Sequence, residues 1–189
     1  MNWPLKRLVA TLIACGSVFT LAQAPALAQD SEERPGNLGC DAYTWDVSHE
    51  LDVLSKPAIS LNAGSNMKTI APVDLDKRYA VKLVPQSSVK FAAKVSKPAL
   101  DDGAQGGMVS FRTGKAGKYR VSLTTGHWLD VVDGGNLVVS RDFQGQRGCE
   151  KVHKVVEFEL TGNHDFVLQL SGGTAASVGL AITQVKPAN

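Results

Sequence analysis

Short runs that alternate apolar and polar residues fill the chain after residue 58, and they restrict its fold more than any other feature. In residues 79–83, 119–123 and 166–170, every second side chain is aromatic or aliphatic. Successive side chains on a strand point to opposite faces, so this period of two predicts half-buried β-strands. The other predicted strands are residues 108–111, 127–132, 137–140, 152–160 and 177–185, together with one that begins at Val89.

Turns rich in glycine, aspartate and asparagine separate these runs, for example at residues 101–107 and 133–136. Many short strands divided by such turns are typical of an antiparallel sandwich or barrel. The strands do not alternate with helices, which argues against a parallel α/β sheet. We therefore predict an all-β, jelly-roll-like antiparallel β-sandwich of about 8–10 strands.

One short helix is predicted before the strands, between Thr44 and Leu54. Val47, Leu51 and Leu54 recur at the spacing of one helical face. The side chain of Thr44 or of Asp46 would cap the start of this helix, and the Ser-Lys-Pro sequence that follows would end it.

The first 28 residues have the pattern of a cleavable secretory signal peptide. Lys6 and Arg7 precede the uncharged apolar residues 8–21, and the small residues of Ala-Leu-Ala end at Ala28. A positive start, an apolar middle and a small-residue exit are the three parts of such a signal. We expect cleavage after Ala28 and a periplasmic or secreted protein.

An alternative lies inside the same segment. Residues 12–16, Leu-Ile-Ala-Cys-Gly, resemble the lipobox of bacterial lipoproteins, in which the cysteine becomes the lipid-modified first residue. Modification at Cys15 would anchor the protein to a membrane. Against this alternative, the chain stays apolar after Cys15, where lipoproteins usually carry a polar tether.

After such a cleavage, residues 29–39 read as a polar, flexible lead-in and residues 40–189 as a single domain. Cys40 and Cys149 are the cysteines that remain, and in an exported chain an even pair predicts a disulfide. Loss of the signal removes two basic residues and no acidic one, which leaves equal numbers of each. This balance, without a basic cluster, excludes an electrostatic nucleic-acid surface.

Part of the pattern recurs at a constant offset of 47 positions. The residues that match are Phe111, Tyr119, Val121, Leu123, Thr124 and Gly126 with Phe158, Phe166, Leu168, Leu170, Ser171 and Gly173. A duplicated structural unit would produce this recurrence, and so would independent convergence of sandwich hairpins on one pattern.

Two segments of the sequence have the pattern of a known family: residues 116–123, Ala-Gly-Lys-Tyr-Arg-Val-Ser-Leu, and residues 162–170. They resemble the closing strands of bacterial pre-peptidase C-terminal domains and related jelly-roll modules. The resemblance covers two hairpins and no catalytic motif. It implies an exported β-sandwich of the kind attached to, or found beside, secreted enzymes, and a shared fold does not carry a function.

Residues 126–136 contain the most unusual side chains, and they predict a binding surface. On a strand, Trp128 and Asp130 share one face. An indole stacks on the apolar face of a sugar while a carboxylate accepts from its hydroxyls, so this pair is a candidate glycan site, with Arg120 or Arg141 nearby. In the alternative interpretation Trp128 belongs to the core, and Asp130 lies at a sheet edge or pairs with one of these arginines.

Motifs for catalysis, cofactors and metals are absent from the sequence. It has no Gly-x-Ser-x-Gly, no phosphate-binding loop and no dinucleotide-binding fingerprint. Two sets of possible ligands lack a recognised metal-site spacing: His127 with Asp130 and Asp133, and His153 with His164 and Asp165. We therefore expect neither a metal nor a cofactor.

Three functions fit these observations. The first is a non-enzymatic envelope protein that binds a ligand such as a glycan, or a partner. The second is a structural or accessory subunit that pairs its edge strands with another protein. The third is a hydrolase without a recognisable motif, using Asp130 with His127 or His153, which would require a cleft with perturbed titrating groups.

Overall fold

A computed structural model describes residues 39–97 and 102–186, which form two six-stranded sheets packed face to face. The predicted signal peptide, its cleavage site and Cys15 lie outside the described residues, as does nearly all of the lead-in. The strands are β1 (Ile59–Asn62), β2 (Ala71–Val73), β3 (Tyr79–Lys82), β4 (Val84–Pro85), β5 (Gln105–Arg112), β6 (Gly117–Leu123), β7 (Trp128–Asp133), β8 (Asn136–Val138), β9 (Asp142–Gly145), β10 (Lys154–Leu160), β11 (Asp165–Gly173) and β12 (Ser177–Gln184).

The first sheet has the order β1-β3-β12-β6-β10-β9. The second has the order β2-β5-β11-β7-β8, with β4 added on β5. All pairings are antiparallel except β1 with β3 and β2 with β5. The predicted β-sandwich is confirmed, with more strands than expected, because β1, β2, β4 and β9 are too short to display an alternating pattern.

The strand predicted to begin at Val89 is wrong. A 3₁₀ turn, Gln86–Ser88, follows β4, and the chain then runs without strand pairing to residue 97. This segment, residues 86–97, lies over the outer face of the second sheet, where the backbone of Ala93 exchanges hydrogen bonds with the Gln169 side chain. Side-chain contacts with a sheet face, which leave no periodicity in the sequence, hold the segment in place.

A long antiparallel ribbon passes through both sheets and supplies most of the core. Its arms are β5–β6 and β10–β11, which pair in the second sheet as β5 with β11 and in the first as β6 with β10. Phe111 lies opposite Phe166 in one sheet, and Tyr119 lies opposite Phe158 in the other. A shift of 47 positions exchanges these two pairs, so the sequence recurrence corresponds to a local two-fold relation between the arms.

The ribbon turns from one sheet to the other at Thr113. Its hydroxyl donates to the carbonyl of Thr161 at 2.6 Å, and its backbone N–H donates to the carbonyl of His164 at 2.9 Å. A Cβ on Gly162 would lie 2.5 Å from the backbone nitrogen of Ala116, so only glycine fits this crossing. A hairpin ribbon folded across two sheets in this way is the path of a jelly roll.

The inward faces of both sheets form one apolar core. Its completely buried members come from six strands: Val81, Val109, Tyr119, Val121, Leu123, Val131, Leu168 and Leu180. Each large aliphatic side chain removed from water in this way stabilises the fold by about 1.5–3 kcal/mol. Their alternation along each strand is the pattern that predicted the strands.

A helix and a disulfide cover the outer face of the first sheet. The helix α1 (Ser48–Ser55) packs Val53 and Leu54 against this face, in a second apolar cluster that includes Cys149. Cys40 and Cys149 are joined by the predicted disulfide, at a separation of 109 positions. No helix among the described residues is both long and apolar enough to span a membrane.

The helix begins later than predicted, and Thr44 does not cap it. The backbone N–H of Thr44 donates to the Gln144 side chain at 2.9 Å, which ties the residue to β9. Asp46 accepts a hydrogen bond from the backbone N–H of Ser48 at 2.9 Å, but the residue at the cap position is Val47, without a side-chain cap.

Candidate functional site

An open groove of about 270 Å³ lies at one rim of the sandwich, between β7 and β10. We call it the rim groove. Its floor consists of Leu129, Val156 and Phe158, which are buried members of the core. Its outer wall comes from residues 137–140 and Phe143, and its polar end comes from Ser96, Trp128, Asp130 and Lys154.

The groove exists because β8 is too short to cover β7. The two strands form a tight hairpin through Gly134 and Gly135, both at positive φ, as the Asp-Gly-Gly-Asn sequence predicts. β8 pairs only with residues 131–133 of β7 and leaves Trp128 to Asp130 without a strand on that side. Residues 139–140 then cross to the first sheet, and the gap beneath them is the groove.

Three large apolar side chains stand on the outer wall in contact with solvent. Leu137, Val139 and Phe143 are 40%, 84% and 63% exposed. The other large apolar side chains that are exposed in the described part of the chain, Ile59 and Met67, lie outside the groove. An exposed apolar cluster next to a cavity is the usual appearance of a binding site rather than of a neutral surface.

Trp128 and Asp130 come together as predicted. The indole Nε1 donates to Oδ1 of Asp130 at 3.0 Å, and the ring is partly exposed at the groove, not part of the core. Asp130 is 8% exposed and also accepts from the backbone N–H and hydroxyl of Ser96 and from the Gln169 amide. With these donors around it, the carboxylate has little capacity left for a sugar hydroxyl.

Two lysines flank the indole. The ammonium groups of Lys97 and Lys154 lie 5.2 and 5.3 Å from the centroid of the Trp128 ring, within cation–π distance. Lys154 also donates to the backbone carbonyl of His127 at 2.9 Å. Burial, and then the positive charge of Lys97, lowers the pKa of Lys154. Among the described residues, neither lysine has a carboxylate within 4.0 Å.

The two arginines of the predicted site are not partners of Asp130. Arg120 lies on the outer face of the first sheet, where its Nε donates to Glu157 at 3.2 Å and its guanidinium stacks on Trp45. Arg141 is exposed beside the groove, and its backbone N–H donates to the carbonyl of Glu157. The interpretation in which Asp130 pairs with either arginine is therefore wrong, and ligand contact by Arg120 or Arg141 stays a prediction.

Arg120 instead belongs to a second depression, of about 420 Å³, between α1 and the first sheet. Glu50 is 2% exposed there, with Oε1 accepting from the Thr183 hydroxyl at 2.8 Å and Oε2 lying 3.6 Å from Arg120. Glu157, also buried, shares the same guanidinium. Glu157 also pairs with Lys118 at 3.0 Å. The guanidinium of Arg120 fixes the helix to the sheet, because its removal leaves the buried Glu50 carboxylate without a cation.

The histidines do not assemble with the predicted acidic partners. His127 is completely buried, its Nδ1 is 2.7 Å from the Thr125 hydroxyl, and burial, followed by the charge of Lys154, lowers its pKa. His164 is paired with Asp133 at 2.8 Å. Within residues 39–97 and 102–186, no three His, Cys, Asp or Glu side chains form a group that could hold a metal ion.

Sequence reasoning did not find the two lysines or Phe143 as site residues. For Lys154 a signal was present, because strand alternation places it on the same face as Val156 and Phe158. A lysine at an inward position of a strand indicates a rim or a site. Lys97 and Phe143 had no comparable signal. Lys97 lies in a segment without strand pairing and Phe143 lies in the short strand β9, and neither segment shows a periodic pattern.

Comparisons with known proteins do not assign the chain to a family. No protein-family model matches it, and no curated protein matches it. Among solved structures, it is similar to a selenomethionine-labelled β-glucosidase from Kluyveromyces marxianus, with 11% identity and a TM-score of 0.31. The match covers 44% of this chain and 11% of the enzyme, so the chain spans about a tenth of the enzyme's length. The resemblance to pre-peptidase C-terminal domains stays a prediction.

Proposed function

We propose that this protein is an exported, non-enzymatic binding module of the bacterial cell envelope, and that the rim groove is its ligand site. The observation that carries the proposal is the clustering of Leu137, Val139 and Phe143 on the wall of a cavity with an apolar floor. Solvent exposure of such side chains is unfavourable unless something covers them. The volume of about 270 Å³ lies just below the usual range for small-molecule sites.

Export is supported by two independent features. The first 28 residues have the three-part pattern of a secretory signal. The disulfide between Cys40 and Cys149 is of a kind that persists in oxidising compartments.

The lining favours an apolar ligand over a glycan. Core and wall side chains dominate the groove, and the Asp130 carboxylate already accepts from Ser96, Trp128 and Gln169. A sugar requires free polar groups around a stacking ring, whereas a hydrocarbon or aromatic group requires only the surfaces that are present.

A protein partner is the second candidate, and one observation favours it. The outer wall of the groove includes residues of β8 and β9, which are edge strands of the two sheets. Edge strands offer unpaired backbone groups to an added strand. A partner segment with alternating apolar side chains would cover Val139 and Phe143 in this way.

Binding of the neutral probe N-phenyl-1-naphthylamine tests the proposed site, because its fluorescence rises in apolar surroundings. We expect saturable binding to the wild-type protein and a loss of at least about tenfold in affinity for Phe143→Asp, which places a charge on the wall. Met67→Asp is the matched control, since Met67 is 58% exposed and lies outside the groove. Equal loss in both variants, or no binding at all, would refute the assignment of the groove. A parallel glycan panel with Trp128→Ala tests the sugar alternative.

A further inference from the structure

Two lysines and one carboxylate lie around Trp128 at the polar end of the rim groove, with Lys154 and Asp130 in the lining and Lys97 beside it. Lys97 and Lys154 stand at nearly equal distances from the Trp128 ring, and neither has a carboxylate within 4.0 Å among the described residues. Asp130 is the acidic residue of the groove lining, and its oxygens accept from Ser96, Trp128 and Gln169. Both ammonium groups therefore lie beside the same indole, and neither forms an ion pair with a described residue.

The position of Lys154 places one of these positive charges next to the apolar floor of the groove. The residue lies on the inward face of β10, in line with Val156 and Phe158, so its stem runs along the apolar floor before the ammonium group reaches Trp128. Its one hydrogen bond in the described structure goes to the carbonyl of His127, which leaves two of its three N–H groups free. An anion bound there would form charge-assisted hydrogen bonds close to the apolar surface.

The rest of the groove has no comparable polarity. From Trp128 the lining continues through Leu129, Val156 and Phe158 to the exposed Val139 and Phe143. A groove that is charged at one end and apolar along the rest matches a ligand with a charged head and an apolar body. A neutral hydrocarbon would leave the lysines without an anion, and a cation would be repelled by them.

We propose that the ligand of the rim groove is a small amphiphile with one anionic head, such as a medium-chain carboxylate. Its head lies between Lys154 and Lys97 beside Trp128, and its apolar body lies against Val156, Phe158 and Phe143. This proposal rests on the proposed function, and it adds the charge and the orientation of the ligand. Free fatty acids and the acyl tails of anionic lipids share this chemistry, and octanoate compared with a short-chain phosphatidylglycerol distinguishes the two sources.

Three probes with one tail and different heads test the proposal: octanoate, octan-1-ol and octylammonium. Binding is followed by the emission of Trp128 in a Trp3→Phe/Trp45→Phe variant, in which Trp128 is the only tryptophan. Because hydrogen bonds to charged groups are stronger than those between neutral groups, we expect octanoate to bind at least about tenfold more tightly than octan-1-ol. Octylammonium should bind most weakly.

The lysine variants show whether these side chains read the head group. Lys154→Met should remove most of the preference for octanoate and leave the affinity for octan-1-ol within about twofold, while Lys154→Arg should retain the preference. Lys97→Met, a change in an exposed side chain that does not endanger folding, should reduce the preference in the same direction. Lys82→Met, on the exposed side of β3, should change none of the three affinities.

The outcomes test two separate claims, that the ligand has an anionic head and that the groove is a binding site. Equal affinities for octanoate and octan-1-ol, or a preference for octanoate that survives in Lys97→Met/Lys154→Met, would overturn the anionic-head proposal and leave the apolar site intact. No response of Trp128 to any of the three probes would overturn the site itself, and with it the proposed function.

Discussion

Removal of the Cys40–Cys149 disulfide is the most quantitative test of how the fold is stabilised. The bond joins residues 109 positions apart, which encloses most of the described chain. For a loop of this length, the loop-entropy relation gives about 4.8 kcal/mol of unfolding free energy at 25 °C. We expect Cys40→Ala/Cys149→Ala to lose up to this amount, which corresponds to a decrease in Tm of roughly 10–19 °C for a chain of this size.

Urea unfolding followed by tryptophan fluorescence and by far-UV circular dichroism measures the effect. An entropic link acts on the unfolded chain, so its removal should expand that state. The transition midpoint should therefore fall while the slope with denaturant rises. Wild-type protein that has been unfolded and refolded under reducing conditions is the matched comparison, and its transition should coincide with that of the variant.

A local role for the bond would produce a different result. Cys40 lies beside Tyr43, whose hydroxyl donates to the carbonyl of Val152 at 2.8 Å, so the bond also holds the first residues of the domain. If the variant retained the wild-type unfolding free energy within about 1 kcal/mol, and only the amides near Trp45 exchanged faster, the loop-entropy reasoning would be refuted.

Three further predictions concern single side chains. Gly173→Ala places a Cβ 2.6 Å from the His127 ring and should destabilise by about 1–3 kcal/mol in urea unfolding, whereas Gly114→Ala, with open space around it, should have little effect. Because burial lowers the pKa of His127 in the folded protein, the unfolded chain takes up that proton first as the pH falls. The unfolding free energy should therefore decrease below about pH 6.5, and His127→Gln should reduce this dependence. Arg120→Met leaves the buried Glu50 carboxylate without its cation, although Glu157 keeps Lys118, and should lose about 3–5 kcal/mol. Arg112→Met, in an exposed ion pair, should lose less than about 1 kcal/mol; equal losses would contradict the burial argument.

The core strands could be predicted from the sequence because their side chains are divided between an apolar and a polar side. β6 and β11 are seven and nine residues long, and the alternation in residues 119–123 and 166–170 is enough to identify both strands and their inward faces. The same reasoning gave a wrong prediction for residues 89–97. They contain apolar residues such as Phe91, but these residues contact the outer face of a sheet. Their spacing depends on the shape of that surface, so it has no period.

The candidate site was predictable only within one strand. Alternation along β7 correctly placed Trp128 next to Asp130, since both belong to one face. It could not show which sheet each strand joins, and Arg120 was therefore grouped with residues of the other sheet. Lys97 reaches Trp128 across a separation of 31 positions through a covering segment, and no local pattern encodes such a contact.

The ribbon that builds the core also determines how the chain must fold. Its innermost pair, Leu123 with Lys154, cannot form until the intervening residues 124–153 have closed a loop, and its outermost pair joins Gln105 to Gly173. Closure entropy must be overcome before any of these pairs contributes stability, and β-proteins with such high contact order fold in milliseconds to seconds. During that interval the apolar faces of four long strands are open to other chains, which favours aggregation at high concentration. We therefore expect the recovery of folded protein after refolding to depend on chain concentration, even though the folded domain is stabilised by a disulfide and a continuous core.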